Sequence, residues 1–124
     1  MYDPNIRLGE MKKQFIQDYP MVYDSTELEY AAAEKKALDV DISGVVLYPS
    51  FQLGEDNEVL PAVPRILKLA EENHIQNWSV ALWFVIPCQE DIFKRTPVEV
   101  INEENKVVEL FQKTVTSSMK EEVE

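Results

Sequence analysis

The sequence is poor in the residues on which most enzymes and cofactor-binding proteins depend. Its 124 residues include one cysteine, one histidine and three glycines. With one cysteine the chain cannot form an intramolecular disulfide, which suits a reducing compartment, so we expect a cytoplasmic protein. With three glycines it has neither a phosphate-binding loop nor a dinucleotide fingerprint, so we expect no cofactor.

Catalytic and metal-binding residues are also scarce. A Cys–His nucleophile pair would have to join Cys88 to His74, but the two flank a predicted helix and lie roughly 15 Å apart along its axis. One His, one Cys and scattered carboxylates do not have the spacing of a zinc site. Residues 54–58 resemble a calcium loop only in composition. We therefore expect no catalytic residue, no metal site and no enzyme activity.

Basic residues and long apolar runs are few. Twelve Lys and Arg stand against 23 Asp and Glu, which gives a formal net charge of −11. This balance disfavours direct nucleic-acid binding, which needs clustered positive charge, but it allows docking on a basic partner. The longest uncharged run, residues 75–89, is shorter than a bilayer requires, and the chain starts without a signal-peptide pattern. We expect no membrane association.

The residues that are present predict one domain over 1–124, mainly α with a small β-hairpin. Strict alternation in LDVDI, the dipeptide Ser43-Gly44 and the run VVLY predict a hairpin near 38–48. Apolar periodicity, caps and prolines predict five to six helices. These helices cover residues 5–18, 25–37, 64–73 and 77–86, a short segment after the capping box at Thr96, and a last segment that ends near Thr116. Beyond it, residues 117–124 are predicted to form a flexible acidic tail.

Three motifs between residues 35 and 115 occur in a familiar order. The motif YPSFQL (48–53) leads into a helical region, a Trp-containing apolar helix ends at Pro87-Cys88, and a loop ends in KRTP (94–97). This order resembles the toxin-binding domain of Xre/MbcA/ParS-type antitoxins, in which the residue after the helix-ending proline is usually Asn and the loop ends in Gly-Arg-x-Pro. Here Cys88 and Lys94 replace the usual Asn and Gly.

The resemblance implies a division of the chain and a class of partner. Members of that family carry a helix-turn-helix before this region and pair with a RES-domain toxin that consumes NAD. By analogy, residues 1–48 would be a degenerate or lost helix-turn-helix with the hairpin, and residues 49–116 the antitoxin-like helical part. Residues 21–60 hold nine acids and two bases. Such a surface would repel DNA, so we expect operator binding to be lost.

Two functions remain open from the sequence. The first is a non-enzymatic, antitoxin-like module that neutralises or regulates a partner protein, such as a RES-type toxin, through its C-terminal half. Its candidate contact residues are Trp78, Arg95, Glu99 and Phe111. The second is an acidic nucleic-acid mimic, for example a phage-encoded inhibitor, that blocks a basic groove of a host nuclease or defence complex. Its candidate residues are Asp24, Glu27, Glu29, Glu34, Asp39, Asp41, Glu55, Asp56 and Glu58. The partner and the oligomeric state stay open, and a dimer is compatible with the apolar content.

Overall fold

A computed structural model describes residues 4–123 of the chain, with side chains described over 9–117. This part contains five α-helices and a three-stranded antiparallel sheet in the order β1-β3-β2. The helices are α1 (Pro4–Asp18), α2 (Thr26–Ala33), α3 (Ala62–Glu72), α4 (Asn77–Val85) and α5 (Glu104–Val123), and the strands are β1 (Met21–Val22), β2 (Val40–Ile42) and β3 (Val45–Pro49). Single 3-10 turns cover Ser50–Gln52 and Pro97–Val100. The predicted α+β class is confirmed.

The predicted hairpin forms where alternation and turn chemistry placed it. β2 pairs with β3 through Val40–Leu47, Asp41–Val46 and Ile42–Val45. The two turn residues, Ser43 and Gly44, both have positive φ, at 53° and 85°. Left-handed conformations at both central positions are typical of the tight turns that match the twist of paired strands. The Gly44 N–H also donates to Asp41 Oδ1 at 3.1 Å.

The N-terminal part differs from a helix-turn-helix. β1 lies between α1 and α2 and pairs with the end of β3, Met21 opposite Pro49 and Val22 opposite Tyr48. A helix-turn-helix joins its helices by a turn of about three or four residues. The connection here spans residues 19–25 and includes a strand, so α1 and α2 are not joined in that way.

Two helix ends differ from the sequence prediction. α2 is capped by Ser25, whose Oγ accepts from the Leu28 N–H at 3.2 Å, but it stops at Ala33 because Lys35 has a φ of 63° and breaks the helical path. α5 continues through residues 117–123, where a flexible acidic tail was predicted. A helix already anchored by buried residues extends at one hydrogen bond per residue, and the Met, Lys and Glu of this segment are good helix formers. Glu124 lies outside the described residues.

The main core is enclosed by α3, α4 and α5. α3 presents buried residues at helical spacing, Val63, Ile66 and Ala70 among them. Phe84 of α4 is fully buried. α4 ends at Val85 because Ile86 precedes Pro87 and is extended, as residues before proline tend to be. None of the helices in the described part is both long and apolar enough to cross a membrane.

Gln52 joins the sheet to this core. Its side chain is fully buried, Nε2 donates to the Leu38 carbonyl oxygen at 2.8 Å, and Oε1 accepts from the Leu38 N–H at 2.7 Å. The side-chain amide of Gln52 therefore makes the two backbone hydrogen bonds that a neighbouring strand would make to Leu38, just before β2. A smaller cluster of Leu28, Ala37 and Tyr48 lies beneath α2.

Candidate functional site

The loop between α4 and the 3-10 turn at Pro97 is closed by its own hydrogen bonds. The Cys88 N–H donates to the Arg95 carbonyl oxygen at 2.9 Å and closes the base. Inside the loop, the Asp91 N–H donates to the Cys88 carbonyl oxygen at 3.2 Å, and the Lys94 N–H donates to the Asp91 carbonyl oxygen at 3.0 Å. Residues 88–95 are called the Asp91 loop below.

Asp91 is the centre of this loop. It is 1% exposed, and its carboxylate accepts from three groups of Arg95: the backbone N–H and Nε at Oδ2, and Nη2 at Oδ1, each at 3.0 Å. Lys106 of α5 lies 3.8 Å from Oδ1. These hydrogen bonds and the positive charge of Arg95 hold the pKa of Asp91 far below its usual range. The loop is therefore held around a buried ionised carboxylate.

The tip of the Asp91 loop points large apolar side chains into solvent. Ile92 is 83% exposed and Phe93 is 71% exposed. The guanidinium carbon of Arg95 lies 5.3 Å from the centroid of the Phe93 ring, which is a cation–π distance. Lys94, the next residue, has a φ of 53°, a left-handed conformation in which glycine is least strained.

The structure changes the interpretation of Arg95 and Trp78. Arg95 was a candidate contact, but its guanidinium already binds the carboxylate of Asp91. Its role is therefore to hold the loop closed. Trp78 is half-buried, its ring packs edge-on against Phe15 at 5.6 Å, and its Nε1 donates to the Asp41 carbonyl oxygen at 2.7 Å. Arg95 closes its own loop and Trp78 joins α4 to α1 and β2, so less of each side chain remains for a partner than the sequence suggested.

The two remaining C-terminal candidates, Glu99 and Phe111, both have structural contacts within the fold. Glu99 completes the predicted capping box, because its Oε2 accepts from the N–H and Oγ1 of Thr96 at 2.6 and 2.9 Å. Phe111 is 2% exposed and packs against Trp83 at 4.9 Å between centroids. Phe111 is therefore not exposed for the partner contact predicted for it, because the same periodicity that placed it on the inner face of α5 buries it.

Three of the nine acidic candidates line one groove between α2 and the hairpin. Asp24, Glu29 and Asp39 surround an open cavity of about 440 Å³, whose other lining residues are Ser25, Ala32, Ala33, Val46 and Tyr48. We call this cavity the acidic groove. No described Lys or Arg nitrogen lies within 4 Å of these three carboxylates, since the ion pairs over residues 9–117 involve other residues.

The other six acidic residues are used singly or are spread over the surface. Asp41 accepts from the turn at Gly44, Glu34 pairs with Lys36 at 3.1 Å, and Asp56 accepts from the Glu58 N–H at 3.1 Å. Glu27 and Glu55 are exposed. Residues 54–58 form a tight turn, closed by the Gly54 N–H to the Glu58 carbonyl oxygen at 2.8 Å. Of the nine candidates, Asp24, Glu29 and Asp39 are therefore the ones that line the acidic groove.

Sequence reasoning missed four residues of these two sites. Ile92 and Phe93 gave a signal, because two adjacent large apolar residues in a charged loop have no periodic partner. Asp91 gave a weaker signal, because the sequence shows only that it lies four residues before the oppositely charged Arg95. Tyr48 gave none, because its place in the acidic groove depends on the pairing of β3 with β1 and on α2.

Comparison with known proteins gives no match: no family model fits the chain, and no curated protein or solved structure is significantly similar.

Proposed function

We propose that this chain is a non-enzymatic protein-binding module that neutralises or regulates a partner protein in the cytoplasm, as antitoxins do, and that it contacts the partner with the tip of the Asp91 loop. The observation that carries the proposal is the exposure of Ile92 and Phe93, at 83% and 71%, on a loop fixed from within. Single exposed apolar residues are ordinary on protein surfaces. Two adjacent ones on a loop that is held by its own hydrogen bonds favour binding, because little backbone freedom is lost when a partner covers them.

Two further observations support this proposal. The buried carboxylate of Asp91 and the guanidinium of Arg95 close the loop by hydrogen bonds within the chain, so its shape does not depend on contacts with a partner. The resemblance to antitoxin toxin-binding domains includes this loop, and a RES-type toxin is the partner that the resemblance implies. The left-handed backbone at Lys94 gives a physical reason for glycine at the corresponding position of that motif.

The experiment compares two variants that remove similar amounts of exposed surface. One carries Ile92→Ser and Phe93→Ser, and the matched control carries Tyr23→Ser and Tyr30→Ser, whose side chains are 70% and 72% exposed. The partner is first named by affinity capture and mass spectrometry, then purified and titrated by calorimetry. We expect the loop variant to bind about 30-fold or more weakly, as for a hot spot of about 2 kcal/mol. The control should bind as the original chain does, and equal binding by the loop variant contradicts the proposal.

The second candidate function is the acidic mimic, and the acidic groove is the observation that favours it. Three carboxylates that form no ion pair with a described Lys or Arg line one cavity, which suits a basic partner. Binding of this kind weakens steeply as salt screens the charges, whereas binding through Ile92 and Phe93 changes little. The same titration at about 50 and 300 mM NaCl separates the two. A steep loss of affinity with salt, together with unchanged binding by the Ile92→Ser/Phe93→Ser variant, supports the mimic and overturns the first proposal.

A further inference from the structure

The acidic groove is built from three separate parts of the chain. Asp24 precedes α2, Glu29 lies within α2, and Asp39 precedes β2, while Tyr48 of β3 forms part of the lining. Asp39 is fixed in place, because its Oδ1 accepts from Asn77 Nδ2 at 2.5 Å. The remaining lining includes the short apolar side chains of Ala32, Ala33 and Val46. The cavity therefore combines negative charge with apolar walls.

The hydroxyl of Tyr48 gives a second, independent indication of a ligand. Tyr48 is 5% exposed, and none of the hydrogen bonds among the described side chains involves its hydroxyl. No fully buried side-chain oxygen or nitrogen in the described part is left without a partner, so this hydroxyl is not fully buried, and Tyr48 is one of the residues that line the groove. Burial, with the negative charges of Asp39 and Glu29, raises the pKa of Tyr48. The hydroxyl is therefore protonated at neutral pH and offers both a donor and an acceptor.

The chemistry of the lining selects the ligand. No group of three His, Cys, Asp or Glu side chains among the described residues is close enough to hold a metal ion. The groove therefore suits an extended cation rather than a compact ion. A guanidinium is planar, carries five N–H donors that can face several acceptors at once, and is weakly hydrated, so it tolerates apolar walls better than an ammonium does.

We propose that the acidic groove binds an arginine side chain of a partner protein, with the guanidinium between Glu29 and Asp39 and beside the hydroxyl of Tyr48. This site lies apart from the Asp91 loop and does not depend on the loop-mediated function proposed above. The proposal names a specific ligand, a guanidinium, for one part of a surface whose negative charge would otherwise attract basic proteins only in general. Asp24, which also lines the groove, adds to the negative potential.

The test is a titration of the full chain, labelled with nitrogen-15, with N-acetyl-arginine methylamide, followed by NMR. We expect saturable shifts of amides around Asp24, Glu29, Asp39 and Tyr48. The Glu29→Gln/Asp39→Asn variant should lose saturable binding. The Tyr48→Phe variant keeps the buried ring and loses only the hydroxyl, so its affinity should fall about 2- to 10-fold, the value of one hydrogen bond. N-acetyl-lysine methylamide should bind more weakly than the arginine probe.

A matched control separates the groove from general charge attraction. Glu55→Gln/Asp56→Asn removes the same two charges from an exposed turn and should leave binding of the arginine probe unchanged. The proposal is overturned if no saturable shifts occur, if the control loses as much affinity as the groove variant, or if the lysine probe binds equally well. The Ile92→Ser/Phe93→Ser variant should bind the probe normally, so failure of this proposal and failure of the loop-mediated function give different results.

Discussion

Gln52 shows how one residue can hold two segments that the sequence keeps apart. Its amide makes both hydrogen bonds to the backbone of Leu38, 14 residues earlier, inside the core. The sequence shows Gln52 only as part of the YPSFQL motif and gives no indication of its physical role. Local periodicity cannot assign that role, because the partner is a backbone group whose position depends on the hairpin.

Replacement of Gln52 by leucine is expected to destabilise the fold strongly. Leucine has a similar volume, but it leaves the buried N–H and C=O of Leu38 without partners, and we expect a loss of about 2–4 kcal/mol in the free energy of unfolding. Urea denaturation followed by tryptophan fluorescence measures it. Gln112→Leu, at an exposed position of α5, is the control and should change stability by no more than about 0.5 kcal/mol. Equal losses in the two variants would contradict this role of Gln52.

At the scale of elements, the regular segments were predictable and the irregular ones were not. α3 and the hairpin have complete apolar patterns and ordinary turn chemistry, so the sequence located both to within two residues or so. β1 has two residues and no alternation, and it forms because β3 offers it an edge to pair with.

The candidate site was only partly predictable, because it too depends on contacts that leave no pattern in the sequence. The sequence showed the motifs on either side of the loop, Pro87-Cys88 and KRTP (94–97), but the exposed Ile92 and Phe93 and the buried Asp91 depend on loop hydrogen bonds that leave no periodic signal.

The Asp91 loop should make stability depend on pH in acid. The pKa of Asp91 is lowered in the folded chain by Arg95, whereas an unfolded Asp titrates near about 3.9. The ionised carboxylate therefore stabilises the fold fully above that unfolded value, and the stabilisation is lost as pH falls toward the folded pKa. We expect Asp91→Asn to be less stable than the original chain at pH 7. Below about pH 4 the difference should shrink.

Urea midpoints of the two proteins, measured from pH 7 to pH 2.5, provide the test for Asp91. Asp56→Asn is the control, because Asp56 lies in an exposed turn. The urea midpoint of Asp56→Asn should differ little from that of the original chain throughout this pH range. A difference between Asp91→Asn and the original chain that stays constant down to pH 2.5 would show that the loop does not depend on an ionised Asp91.

At the scale of the whole molecule, two electrostatic effects oppose each other. The net charge of −11 on 124 residues makes the folded chain repel itself. Ion pairs such as Arg65–Glu104 and Lys113–Glu109, at 2.8 and 2.9 Å, act in the other direction. Both pairs are exposed, and pairs of this kind contribute about 0–1 kcal/mol each. The repulsion involves many more charges, so we infer that it dominates.

Salt should therefore stabilise this protein. An increase in NaCl from about 10 to 150 mM shortens the screening length from about 30 to 8 Å, which weakens repulsion between distant carboxylates most. We expect the midpoint of thermal unfolding to rise over this range. In the Glu55→Gln/Asp56→Asn variant, which carries two fewer negative charges, the rise should be smaller. A midpoint that falls with salt would instead mean that ion pairs, with Asp91–Arg95 foremost, outweigh the net charge in holding the fold.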